Sequence, residues 1–403
     1  MAPKRTLFLL AAAGLAAHVA SAADLPRFRV EALQAPSGAF TATGLNDLGQ
    51  VVGHVQPADG EFARSYLWQG GRVQALANRL PHSELHRVGA RASALNNSGA
   101  IVGSGFTDQH SDMQGAVHWS SPSAAIGSLP HLRGRDGGSA TAINEHGTAV
   151  GSNHASPGRA DEALMWKDGK ALTLWSHATG DPRFYVEGPS AMARDINDHD
   201  QVVGTVEVPM AEYHGSRWFS RGQAMYWENG QARQLLSDRA DWHFTDAAAI
   251  NNAGLIVGAA EKWTAGDIQS ASGWQPAAWI DGKMTFLDSI DGSDADSGSQ
   301  ATDVNNQGWI VGHDGGRAVL WLDGKALAVN SLLDPSAAGW RFSQAIDIND
   351  KGQILVQGID AGGQATFALL TPVPEPASVL LSAGGLLAMA GWRRRRAPAL
   401  ATA

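Results

Sequence analysis

The chain has 403 residues, 30 of them basic and 39 acidic, with 14 tryptophans and no cysteine. Without cysteine there is no disulfide, thiolate metal site or thiol nucleophile, so the fold rests on its core alone. The acidic balance repels phosphate backbones, which argues against nucleic acid as a partner.

The N-terminus has the grammar of a secretory signal. Lys4 and Arg5 precede a mainly apolar run from Thr6 to Ala20, and Ala20-Ser21-Ala22 fits the small-x-small pattern of signal peptidase. Cleavage is expected between Ala22 and Ala23, giving a signal peptide over 1–22. The alternatives are an uncleaved anchor or a buried apolar helix.

From residue 23 to 372 the chain repeats itself, and repeats take precedence over any local reading. One phrase recurs seven times: ATGLNDLGQVVG, ASALNNSGAIVG, ATAINEHGTAVG, MARDINDHDQVVG, AAAINNAGLIVG, ATDVNNQGWIVG and AIDINDKGQILV. Its asparagines are Asn46, Asn96, Asn144, Asn197, Asn251, Asn305 and Asn349, at intervals of 50, 48, 53, 54, 54 and 44. A later strand ends on Trp68, Trp119, Trp166, Trp227, Trp279 or Trp321 in the first six copies; Leu370 takes that place in the seventh.

Each copy predicts four strands. Asn-x-x-Gly turns the first into the second, because asparagine closes turns with its own side chain and glycine tolerates positive φ. Asp-Gly or Asn-Gly makes a two-residue hairpin between the third and fourth. Such units repeated seven times fit an all-β, seven-bladed propeller rather than an open solenoid. The seventh copy lacks a fourth strand, while a spare one, Pro26 to Leu33, stands before the first copy. Sharing one blade between both ends closes the ring and removes the open edge. Two departures point to distorted turns: Asp200 replaces the turn glycine of the fourth copy, and the second-strand glycine is missing in the seventh.

These phrases, with their Asn, Gly, Val-Val-Gly run and later Ala-x-x-Trp, resemble the HAF repeat of extracellular bacterial proteins. The resemblance spans nearly all of residues 28–371 and implies a surface or extracellular role, but no catalytic residues.

The tail, 373–403, holds Pro374-Glu375-Pro376, an uncharged stretch from Ala377 to Trp392, and then Arg393 to Arg396. Sixteen uncharged residues barely span a bilayer as a helix, and the arginines would stay on the cytoplasmic side. The order resembles the PEP-CTERM sorting signal. That resemblance implies processing by an exosortase recognising Pro374, Glu375 and Pro376, with transient or retained membrane contact in a Gram-negative bacterium. A plain tail anchor is the alternative. Without both end segments, 24 basic residues face 39 acidic ones, a net charge of −15.

Connection lengths single out one face. The first-to-second and third-to-fourth connections are short, whereas the others include Thr205 to Gly222, Ala259 to Gln275 and Ser176 to Ser190. Both longer classes emerge on one side of a propeller, the side that usually binds. Trp175, Tyr185, Trp218, Trp242, Trp263 and Trp274 lie in or beside these connections, as does Trp340. They are either packing over the blade ends or a stacking surface for sugar rings.

Other motifs carry less. Asp303 and Asp347 open Asp-x-Asn-x-x-Gly phrases like the start of a calcium loop, but the further ligands are missing and the phrase is the hairpin turn. Asp291, Asp294 and Asp296 are a solvated acidic loop in preference to a cation site. His82 and His86 lack the glutamate spacing of a zinc motif. No nucleophile elbow, Walker loop or dinucleotide fingerprint occurs, so no catalytic residue, metal or cofactor is assigned. The expectation is an exported surface propeller that binds matrix or exopolysaccharide without catalysis. The alternative is a polysaccharide hydrolase or lyase on the long-loop face.

Overall fold

In each copy, apolar residues alternate toward two neighbours at once, so every strand set needs a partner on both sides. The computed structural model describes residues 25–373, apart from 35–38, 58–61, 79–88, 107–113, 133–136, 154–160, 176–189, 210–219, 236–241, 264–270 and 291–297. It contains seven four-stranded antiparallel sheets.

The N-terminal strand β1 (Arg27–Leu33) precedes the first complete blade. Blade one is β2 (Ala39–Leu45), β3 (Val51–Gln56), β4 (Arg64–Gln69) and β5 (Arg72–Ala75); blade two is β6 (Gly89–Leu95), β7 (Ile101–Phe106), β8 (Gln114–Trp119) and β9 (Ile126–Ser128). Blade three is β10 (Ser139–Ile143), β11 (Ala149–Asn153), β12 (Glu162–Lys167) and β13 (Lys170–Trp175); blade four is β14 (Ala191–Ile196), β15 (Val202–Pro209), β16 (Ser220–Glu228) and β17 (Gln231–Gln234). Blade five is β18 (Trp242–Ile250), β19 (Ile256–Trp263), β20 (Ala271–Ile280) and β21 (Lys283–Phe286); blade six is β22 (Gln300–Val304), β23 (Ile310–Asp314), β24 (Arg317–Leu322) and β25 (Lys325–Ala328). Blade seven is β26 (Arg341–Ile348), β27 (Ile354–Ile359) and β28 (Ala365–Val373), completed on its outside by β1.

The ring therefore closes with the expected shared blade. Arg27 pairs Val373 and Leu33 pairs Phe367, and Phe28 is fully buried between blades six and seven. Burying a phenylalanine contributes roughly 2–3 kcal/mol.

Among the described residues the core is divided into seven clusters, not gathered in one centre. Each hydrophobic cluster belongs to a pair of adjacent blades, with Trp68 between blades seven and one and Trp119 between one and two. Trp166, Trp227, Trp279 and Trp321 continue the series, and Leu370 fills the place between six and seven. The indole also clamps the preceding blade. Trp68, Trp119, Trp166 and Trp321 donate from Nε1 to the carbonyls of Gln34, Ala77, Pro130 and Asp288, at 2.9, 2.6, 2.6 and 2.7 Å. All four carbonyls lie just after the preceding blade's outer strand.

Both expected distortions need correction. Asp200 adopts φ 58°, the left-handed conformation of the glycine it replaces, and its N–H keeps the 3.1 Å bond to the Asn197 carbonyl. The turn is intact because aspartate tolerates that region better than most residues. In blade seven the glycine is displaced, not lost. A Cβ on Gly53 would stand 2.2 Å from the Thr41 carbonyl oxygen, and one on Gly358 would stand 2.1 Å from that of Arg341. An additional bulge at Ser343 moves this close approach two residues along the strand.

The long connections are also shorter than expected. β15 continues to Pro209 and β16 resumes at Ser220; β19 continues to Trp263 and β20 resumes at Ala271. Blades four and five therefore project on the long-loop face as extended hairpins. Antiparallel alternation places the Asn turns on the opposite, turn face, where β28 also ends beside Gly352 and Gln353.

Candidate functional site

Two closed rings of hydrogen bonds line the channel mouth on the turn face. In each Asn turn, the side-chain oxygen accepts from within its own turn, as Asn251 Oδ1 does from the N–H groups of Ala253 and Leu255 at 3.0 Å each. The amide Nδ2 then reaches the backbone carbonyl of the next blade's asparagine. The distances, from Asn46 to Asn96 onward, are 3.1, 3.0, 3.1, 3.0, 2.9 and 3.1 Å, and Asn349 returns to Asn46 at 2.8 Å.

The residue after each asparagine forms the second ring. The N–H of Asp47 donates to Asn97, Asn97 to Glu145, Glu145 to Asp198, Asp198 to Asn252, Asn252 to Asn306, Asn306 to Asp350, and Asp350 back to Asp47. The acceptors are side-chain oxygens, which explains why only Asp, Asn or Glu occupies this position. The mouth encloses a cavity of about 200 Å³. Its polar groups are largely engaged with each other, as expected of a structural collar.

Behind the collar lie three carboxylates. The channel-facing position two residues before the asparagine is Gly44, Ala94, Ala142, Asp195, Ala249, Asp303 or Asp347. Each aspartate accepts from the next blade: Asp195 from the Ile250 N–H, Asp303 from that of Ile348 and Asp347 from that of Leu45, all at 2.8 Å. The Asp303 and Asp347 side chains are also within hydrogen-bonding reach of each other. Each aspartate is only partly exposed, and the protein packed around it strips most of its hydration. Burial first, and then the Asp303 charge, raises Asp195 to about 7. Burial also raises Asp303, and burial with the Asp303 charge raises Asp347. Sequence reasoning dismissed Asp303 and Asp347 as calcium ligands but missed this cluster. The signal was an acid at a position otherwise held by glycine or alanine.

The long-loop face carries a larger concavity, about 810 Å³, between blades six and seven. Trp340, Arg341, Ser343, Asn330, Arg317 and Gln357 supply its polar and aromatic lining. Trp340 stacks on Phe342 with centroids 5.6 Å apart and rings inclined by 29°.

The six predicted ligand-surface residues are distributed differently. Trp175 is the last residue of β13, not a loop residue, and packs partly against the interface of blades three and four. Trp242, Trp263 and Trp274 are strand residues at one end of blade five, opposite Lys262, Ala271 and Glu261. Trp274 is half-buried. Tyr185 and Trp218 lie outside the described residues, as do the signal segment with Ala22 and Ala23, the acidic loop 291–297, His82, His86, and Pro374, Glu375 and Pro376. Asp314, the twelfth position counted from Asp303, is held by Ser299 Oγ, the Ile290 N–H and Ser289 Oγ at 2.6, 2.8 and 2.9 Å. Among the described residues no group of three His, Asp or Glu side chains is arranged to hold a metal.

Residues 372–396 match the family model for the PEP-CTERM protein-sorting motif. The chain carries a PEP-CTERM sorting motif. The PEP-CTERM motif implies exosortase processing, and its match begins within β28, with no spacer between the ring and Pro374. Residues 76–226 match a family described as a protein of unknown function, DUF3466. No curated protein matches the chain.

Similar solved structures include a protein of unknown function from Dyadobacter fermentans, at 10% identity, covering 87% of this chain and 100% of that one, with a TM-score of 0.41. A polysaccharide lyase of family PL25, an ulvan lyase bound to a glucuronate–sulfated rhamnose unit, shows 10% identity, coverage of 85% and 86%, and a TM-score of 0.40. The Pyrococcus horikoshii acylaminoacyl peptidase shows 11% identity and a TM-score of 0.37; the match covers 80% of this chain and only 59% of the peptidase. Among the described residues no helix is long and apolar enough to cross a membrane. The apolar stretch 377–392 lies outside them.

Proposed function

We propose that this exported propeller is attached at the cell surface and binds extracellular matrix or polysaccharide components through its long-loop face, without turning them over. The observation that carries this reading is the contrast between the two faces. The turn face is closed by two rings of hydrogen bonds, whereas the long-loop face holds a cavity within the usual size of ligand sites, lined by an aromatic ring and a few polar groups. The end of β28 lies on the turn face, where Gln353 donates to Thr371 and Pro372 stands against Gly352. A tail leaving there directs the long loops outward. The likeness of the repeats to HAF phrases supports the same extracellular setting, with a cleaved signal at the N-terminus and an exosortase-type enzyme acting at the Pro-Glu-Pro tail.

The test is incubation of the full chain with a panel of bacterial polysaccharides, reading both retention and release of new reducing or unsaturated ends. Retention without new ends is the expected result. Depolymerisation would sink the non-catalytic reading.

One observation favours the alternative, a hydrolase or lyase: the Asp303–Asp347 pair resembles an acid–base couple. It lies behind the collar, whose mouth has room for about 200 Å³, enough for waters and not for a sugar chain. Any depolymerising activity surviving Asp303→Asn would exclude this pair as its source.

A further inference from the structure

The connection between blades six and seven is built as a rigid platform. It contains two 3-10 turns, Val329–Leu332 and Pro335–Ala337, and is tied down along its length. Asp334 caps the second turn through Ser336 N–H at 2.9 Å, and its own N–H donates to the Phe28 carbonyl at 2.8 Å. Arg27 donates to the Ser331 carbonyl at 3.1 Å, so the closing strand also fixes this connection. Asn330 then spans the junction with β26: its Nδ2 donates to the Trp340 carbonyl at 2.6 Å and its Oδ1 accepts from Phe342 N–H at 2.8 Å. Trp340 is thus held by backbone bonds on both sides and by the buried Phe342 ring beneath it. An aromatic platform fixed in advance loses little side-chain freedom when a ligand stacks on it.

Charge at this place runs against the molecule. The chain carries more acidic than basic residues, yet Arg341 lines the cleft, together with Arg317, whose charge is met by Asp314 on the paired strand. Arg341 is exposed at the rim. The bulge at Ser343 changes the strand register at this rim, and Gln357 on the neighbouring strand adds an exposed amide. An apolar ring beside a guanidinium and neutral hydrogen-bonding groups suits a pyranose that bears an anionic substituent. The sugar's C–H face lies on the indole, and a carboxylate or sulfate meets the fork of the arginine.

We infer that the cleft between blades six and seven, floored by Trp340 and rimmed by Arg341, binds an acidic sugar unit of an anionic polysaccharide. This rests on the reading of the long-loop face as polymer-binding and names the substrate class and the place. Arg341 sets the preference for anions and Trp340 supplies most of the contact.

Affinity electrophoresis of the full chain tests it, with gels containing polygalacturonate, dextran sulfate or neutral dextran. Retardation by one or both acidic polymers and not by dextran is expected, the two acidic gels distinguishing carboxylate from sulfate. Arg341→Gln should weaken retardation about tenfold, as for loss of a charge-assisted pair, and Trp340→Ala should abolish it, with Trp340→Phe retaining part. Unfolding temperatures are compared in parallel; if Trp340→Ala is unstable, Arg341→Gln and Trp340→Phe decide. Undiminished retardation of Arg341→Gln and Trp340→Phe would overturn the cleft assignment and leave the polymer-binding reading standing. Equal retardation by dextran would overturn the acidic class. No retardation in any gel would overturn both.

Discussion

Asn251 does three things at once: it satisfies two N–H groups of its own turn and reaches the Asn305 carbonyl of the next blade. Replacing it with alanine removes all three bonds and leaves the buried Asn305 carbonyl and two part-buried N–H groups without this partner. A loss of about 2–4 kcal/mol is expected in chemical denaturation. Asp200→Gly should behave differently. Glycine relieves a left-handed φ of 58°, but the change removes the 2.6 Å contact with Lys167 and the 3.0 Å bond from Asn144. These effects oppose each other, and a net change within about 1 kcal/mol is expected. The repeated asparagine was legible in the sequence as a turn former. Its reach into the next blade was not, because its partner lies 44 to 54 residues away across six of the seven junctions and 303 away at the seam.

At the scale of elements, β1 is the clearest case of a strand whose role comes from elsewhere in the chain. It has no local partner, and all seven of its residues pair with β28. Deleting 27–33 should leave blade seven with three strands, expose Phe342 and Leu370, and lower the unfolding temperature well beyond a point mutation. Phe28→Ala alone is expected to cost about 3–5 kcal/mol. Hydrogen exchange should show protection lost first in β28 and in the connection holding Trp340, since Arg27 and Phe28 bind it. The missing and spare strands were countable in the sequence, so this closure was foreseen. The extended hairpins of blades four and five were not. Polar and aromatic residues there read as loop, whereas pairing across the hairpin carries β15 to Pro209 and β19 to Trp263.

For the whole molecule, the channel carboxylates couple stability to pH. Asp195 rises from the ordinary value near 4 to about 7 on folding, and Asp303, Asp347 and Asp350 bring further negative charge to the channel. A carboxyl raised by folding favours the folded state below pH about 4, and that contribution is lost as pH climbs through about 7. Asp195→Asn keeps an acceptor for Ile250 and removes the charge. Its unfolding temperature should match the wild type near pH 4 and exceed it at pH 8, by the equivalent of about 1–3 kcal/mol. A variant less stable than wild type at pH 8 would show that the ionised carboxylate is an asset to the ring.

The sequence by itself determined the strand count, the number of blades, the shared seam and the sorting motif, because each is written as a local period or a local phrase. Only the tertiary structure decided what the repeated positions face. A ring brings each repeat against copies on both sides, and one position per repeat then becomes a continuous circle of bonds. It also gathered Asp195, Asp303 and Asp347 from three blades into one channel, and joined Trp340 to Arg341 and Gln357 in one cleft. Those neighbours are set by closure around an axis, which no single repeat encodes.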